Sequence, residues 1–127
     1  MTRIVTVGGA QLGPVQLGDD RASVVERLIV LLQEAASQGC DLVVFPELAL
    51  TTFFPRWFVD DIATTDHFYE RSMPNDATQP LFDEARRLGI GFSLGYALIE
   101  TTADGIEHRW NVQTLVERDG SIVATFK

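Results

Sequence analysis

A single cysteine, Cys40, leaves this chain without any internal disulfide framework and points to a reducing compartment. Basic residues are also scarce. Ten Lys and Arg stand against eighteen Asp and Glu, a formal net charge of −8. That balance argues against nucleic acid as a partner, because phosphates call for clustered cations. No apolar run approaches the ~20 residues needed to cross a bilayer. Met1-Thr2-Arg3 passes directly into Ile4-Val5-Thr6-Val7, without a signal-peptide apolar region and its cleavage site. The expected location is the cytoplasm, away from membranes. The two histidines, His67 and His108, show no metal-ligand spacing. Gly8-Gly9 lacks the Gly-x-Gly-x-x-Gly pattern, and no glycine-rich turn leads into a helix, so a nucleotide-binding fingerprint is missing as well.

What remains is 127 residues, 46% of them apolar, enough for one domain with a real core. Residues 4–10 are rich in β-branched side chains and read as a first buried strand. Asp19, Asp20 and Ser23 are all candidate helix caps, and Ser23-x-x-Glu26 has capping-box spacing. Val24, Leu28, Leu31, Leu32 and Ala35 then recur at helical spacing, with Gly39 suited to the C′ position. Leu42-Val43-Val44-Phe45 follows as a short buried strand, completing a βαβ unit. A helix is expected again over 78–88, with Pro80 in its first turn and Gly89 at its end. Residues 90–99 alternate, placing Phe92, Leu94, Tyr96 and Leu98 on one face and Gly91, Ser93, Gly95 and Ala97 on the other. A face that small implies close approach by a backbone or a substrate. Asp104-Gly105 and Asp119-Gly120 are hairpin signals separating strands at 107–117 and 121–126. The fold class is α/β, a mixed sheet with a βαβ start and an antiparallel meander at its end.

Glu47 allows two readings: a cap, loop-bonding or solvated carboxylate, which is the commoner fate of a lone Glu after a strand, or a group with a chemical role. It lies just beyond the carboxyl end of the buried strand, where open α/β sheets bind ligands, and after Pro46, which ends the pairing. Held between apolar neighbours, it is expected to be poorly hydrated and therefore suited to act as a general base. The connection over 51–77 carries Phe53, Phe54, Trp57, Phe58, Phe68 and Tyr69, with a short helix expected over 59–69. It either walls a pocket or packs its own aromatics against the body.

Pro46-Glu47-Leu48-Ala49-Leu50-Thr51-Thr52-Phe53-Phe54-Pro55-Arg56-Trp57 resembles the N-carbamoyl-D-amino acid amidohydrolases of the nitrilase (carbon-nitrogen hydrolase) superfamily. The resemblance continues through Phe68-Tyr69-Glu70, Met73-Pro74, Pro80-Leu81-Phe82, Leu88-Gly89-Ile90-Gly91-Phe92 and Leu94-Gly95-Tyr96-Ala97. It implies an α/β/β/α sandwich, of which residues 1–127 would be a single incomplete domain, the N-terminal portion. It also implies a Glu-Lys-Cys triad: a thiolate that attacks carbon, a glutamate that moves the proton, and a lysine that stabilises the tetrahedral intermediate.

By this resemblance Glu47 is the general base. Lys127 falls on the position before the catalytic lysine; a register shift of one residue would make Lys127 catalytic itself. The resemblance implies no metal and no cofactor, a small N-carbamoyl or amide substrate, and a homo-oligomer when complete. The nucleophile is absent, since Cys40 precedes the buried strand at the end opposite Glu47 and reads as a small buried hydrophobe. The chain alone is therefore expected to be inactive. Another amidase or nitrilase activity, or an inactive α/β fragment or scaffold, is the alternative.

Overall fold

A computed structural model describes residues 2–127. Asp20, rather than Ser23, caps the first helix, α1 (Arg21–Ser37). Its carboxylate accepts the Ser23 backbone N–H at 2.7 Å, and the Ser23 hydroxyl donates back to the Asp20 carbonyl. Val24, Val25, Leu28 and Leu32 form the buried stripe of α1, and Gly39, at φ +78°, turns the chain out of it. The second helix, α2 (Gln79–Leu88), carries Pro80 in its first turn and ends at a left-handed Gly89, with Leu81, Phe82 and Ala85 inward.

Five strands form one sheet in chain order: β1 (Val7–Gly9), β2 (Leu42–Val44), β3 (Gly91–Thr101), β4 (Glu107–Val116) and β5 (Ile122–Phe126). The first three are parallel and the last two pairings antiparallel, as the βαβ start and the two hairpins required. Gly105 and Gly120, at φ +83° and +85°, occupy the two hairpin turns.

Strand alternation sorts the residues onto two faces. Val43, Phe45, Phe92, Leu94, Tyr96, Val112 and Val116 meet Leu28, Leu32, Leu81 and Phe82 in the main core. Burial of each such side chain contributes about 1.5–3 kcal/mol. Phe92 receives the edges of Phe45 and Phe82 at centroid separations of 6.0 and 5.1 Å. The opposite face carries Gly9, Val44, Ser93, Gly95, Asn111 and Gln113; neither α-helix packs on it, and the 53–69 connection covers only its Ala97 end. Residues 4–10 are not the long buried strand the sequence suggests. Pairing is confined to Val7–Gly9, and Ile4 is 84% exposed. The physical reason is position: β1 is an edge strand, reached by helical cover only at Gly8, which packs toward Ala35 and Cys40.

The two helices are joined at their polar rims by Gln33, which donates to Glu84 at 2.7 Å, while Arg87 clamps the same carboxylate through two nitrogens. Arg87, and then Gln33, lower the Glu84 carboxyl from 4.5 to about 2. The folded chain thus holds the ionised form more tightly than the unfolded chain. This contribution is complete above pH 4.5 and is lost as the pH falls through 2. Solvent screening at the exposed Arg87 reduces it to about 1–2 kcal/mol. Urea titrations between pH 6 and pH 2.5 should show that loss in the native chain, and Glu84→Gln should make it smaller without abolishing it, since Glu100 and Asp41 are also held below their ordinary values.

Candidate active site

The parallel ladder between β2 and β3 runs one residue past β2, where the Phe45 N–H donates to the Ser93 carbonyl at 2.9 Å. Pro46 has no N–H to continue it. The ladder resumes at Ala49, whose N–H donates to the Gly95 carbonyl at 2.8 Å. Residues 46–48 are therefore pushed out of the sheet plane. Leu48 is held at φ +47°, a left-handed conformation costing a branched residue about 1–3 kcal/mol. It is retained because the Leu48 side chain is locked into a second cluster with Phe54, Ala97, Phe68 and Tyr69. Glu47 rides on this outward bend.

The bend passes directly over Gly95. A Cβ there would lie 2.7 Å from the Pro46 carbonyl oxygen, 2.8 Å from Gln113 Oε1 and 2.9 Å from Glu47 Cα. The small face of β3 thus serves close approach by a backbone, one of the two readings its alternation allowed. Glu47 reaches across to β4, where Asn111 Nδ2 donates to Glu47 Oε1 at 2.5 Å. Gln113, two residues further along the same face, is engaged with Ser93, donating to its hydroxyl at 2.6 Å.

Glu47 is exposed in this chain, which corrects the expectation of poor hydration. The apolar neighbours of the sequence, Leu48 and Phe45, point elsewhere into packed clusters. The carboxylate itself lies on the sheet face opposite α1 and α2. Beside it is a cavity of about 230 Å³ between the 12–15 loop and the 46–56 segment, with Thr52, Phe53 and Arg56 on its wall. The aromatic connection divides between its two readings. Phe54 stacks on Phe68 at 4.7 Å, packed away, whereas the half-exposed Phe53 lines the cavity. The short helix expected over 59–69 is a 3₁₀ helix, Ile62–Phe68.

An ion pair between the partly exposed Arg21 and the buried Glu70 anchors this connection. Arg21 Nε meets Glu70 Oε1 at 2.5 Å, Asn75 donates to Glu70 Oε2 at 2.7 Å, and Arg21 also donates to the Leu50 carbonyl at 2.7 Å. The Glu70 backbone pairs with Ala97 and Ile99 along the free stretch of β3. One arginine at the start of α1 thereby ties down both ends of the excursion that begins just after Glu47.

Lys127 and Glu47 are not brought together. Lys127 Nζ donates to both Glu100 oxygens, at 2.6 and 2.7 Å, and lies over the Trp110 ring at 5.5 Å. Glu100 and Trp110 belong to the helix-side set of alternating residues, whereas Asn111 and Glu47 belong to the other. The Lys127 ammonium holds the Glu100 carboxyl below its ordinary value. Cys40 is distant in the same sense: it precedes β2, Glu47 follows it, and the Cys40 sulfur packs on the helix side by Gly8. His67 and His108 are exposed, and no group of metal-ligating side chains forms among the described residues. Asn111 and Gln113 went unread in the sequence. Their only trace was two amides at i, i+2 in a strand otherwise alternating with Val112 and Thr114.

A mixed sheet that presents a carboxylate just past the carboxyl end of β2, over a glycine, defines an α/β fold with an acidic group where such sheets bind ligands. The carbon-nitrogen hydrolase family model matches residues 6–127, and the chain belongs to that family. An aliphatic nitrilase of Rhodococcus rhodochrous is 29% identical over 130 residues, covering 97% of this chain and 34% of that protein. The fold is shared with a carbon-nitrogen hydrolase from Helicobacter pylori G27, at a TM-score of 0.70, 21% identity and coverage of 96% of this chain and 38% of that one. It is shared too with an amidase from Nesterenkonia sp., at a TM-score of 0.64, 19% identity and coverage of 97% and 42%. The chain spans about a third of the length of the curated relatives it matches.

Proposed function

We propose that the whole protein hydrolyses N-carbamoyl-D-amino acids to the amino acid, CO₂ and ammonia, with Glu47 as general base. The observation that supports Glu47 as the base is its placement: bent out of the sheet at the carboxyl edge of β2, bonded to Asn111, and beside a cavity; the choice of substrate rests on the resemblance of residues 46–57. In this reading a thiol supplied by residues outside these 127 gives its proton to Glu47 as the sulfur attacks the carbamoyl carbon. The proton then passes to the departing nitrogen. Glu47 next takes a proton from the water that attacks the S-acyl intermediate and returns it to the departing sulfur, restoring the thiol; the carbamate released loses CO₂, so one water is consumed per substrate.

The oxyanion cation is the lysine expected directly after Lys127. Along a continuing strand that position alternates onto the face of Asn111 and Glu47, which supports the assignment of Lys127 as its neighbour. Residues 1–127 are in this view the N-terminal portion of one domain of a cytoplasmic homo-oligomer, and have no turnover alone. The likeness to nitrilases favours a nitrile substrate as the second reading.

The test is release of ammonia by the purified whole protein from N-carbamoyl-D-amino acids, their L-isomers, aliphatic amides and aliphatic nitriles. Turnover of the D-carbamoyl compounds is expected, with none from the 127-residue chain. Preference for nitriles would replace the first reading by the second. Absence of ammonia from all four classes would overturn both, and turnover by the chain alone would overturn the assignment of the nucleophile.

A further inference from the structure

We infer that Asn111 is the positioning residue of the site: its side-chain amide holds the Glu47 carboxylate in one rotamer, with Oε1 occupied and Oε2 left to exchange protons. The inference rests on the reading of Glu47 as the base. Asn111 Nδ2 donates to Glu47 Oε1 at 2.5 Å across the sheet face opposite the two α-helices. An NH₂ group can only donate, so it holds the carboxylate as an acceptor and restricts which oxygen faces the reacting atoms.

The platform beneath is stiff. Asn111 lies opposite Ala97 in the β3–β4 ladder and is followed by Val112, which is buried in the core. The adjacent amide cannot substitute, because Gln113 is already bound to Ser93 and its oxygen lies against the Gly95 face. On the Glu47 side the backbone is confined by Pro46, by the left-handed Leu48 and by the lack of a Cβ at Gly95. Those constraints set where the Cα sits, and none of them sets the side-chain torsions. Asn111 alone does that among the described residues.

Two measurements test it. In the whole protein, three-bond couplings at Glu47 should report one dominant rotamer, and Asn111→Leu should average them. The Asn111 side-chain amide resonances should also move on Glu47→Gln, as a charge-assisted bond becomes a neutral one. Averaged couplings in the native protein would overturn the inference. In the whole protein, Asn111→Leu and the isosteric Asn111→Asp should both lower kcat about 10- to 100-fold with KM and melting temperature little changed. Asn111→Gln, which keeps a donor, should recover part of that loss. Unchanged kcat, or a loss in all three variants that follows their melting temperatures, would overturn it. Should the native whole protein hydrolyse none of the substrates, the proposed function falls, while the couplings at Glu47 still decide the role of Asn111.

Discussion

Replacing Gly95 with alanine should dislodge the Pro46–Leu48 bend and destabilise the chain by about 2–3 kcal/mol, the upper range for overpacking. The added Cβ would meet the Pro46 carbonyl at 2.7 Å and Glu47 Cα at 2.9 Å, and both of these are backbone atoms. Gln113 Oε1, at 2.8 Å, is the end of a side chain but is tethered through its amide to Ser93. None of the three moves cheaply. Relief requires the bend to lift off the sheet, which carries the Glu47 carboxylate away from Asn111. Urea unfolding measures the stability loss, and turnover of the whole protein should fall by at least ~100-fold, as a misplaced base would produce. Gly9→Ala is the control, since nothing lies within 4 Å of its added carbon. Equal effects of the two substitutions would refute the argument from close approach.

Glu47→Gln should abolish most of the activity of the whole protein, by about 10²–10⁴-fold, the range for removing a positioned general base. The fold should be preserved, because Glu47 is exposed and glutamine still offers Asn111 a carbonyl oxygen. The melting temperature should therefore stay close to that of the native protein while kcat collapses. Near-normal turnover by a folded Glu47→Gln protein would remove Glu47 from the role of base. The two substitutions should differ in kind: Glu47→Gln is expected to lower turnover and leave the structure, and Gly95→Ala to disturb the structure that presents Glu47.

Most of the fold could be read from local sequence. The stripe through Val24, Leu28 and Leu32, the proline at 80 and the glycines at 39 and 89 each act over one or two turns, so helix positions followed from spacing alone. Asp-Gly pairs at 104–105 and 119–120 located both hairpins for the same reason. The first strand was read as too long and too buried, because residues 4–10 have the composition of a core strand. Composition does not say that β1 lies at the edge of the sheet. The candidate site was half legible: the place of Glu47 after a proline-terminated strand left its role open, and the resemblance of the residues around it singled it out. Asn111 could not be found this way, since it comes from a strand sixty-four residues downstream and meets Glu47 only through sheet register.

The amino-acid sequence by itself determined which elements form, their order, and that a carboxylate stands just past the carboxyl end of β2. These depend on interactions between near neighbours in the chain. Only the tertiary structure decided that Glu47 is exposed rather than buried, that its partner is Asn111, and that Lys127 points to the other face. Those outcomes depend on which strands lie side by side and on the alternation of side chains across them. Adjacency and parity in a sheet arise only after distant segments have paired.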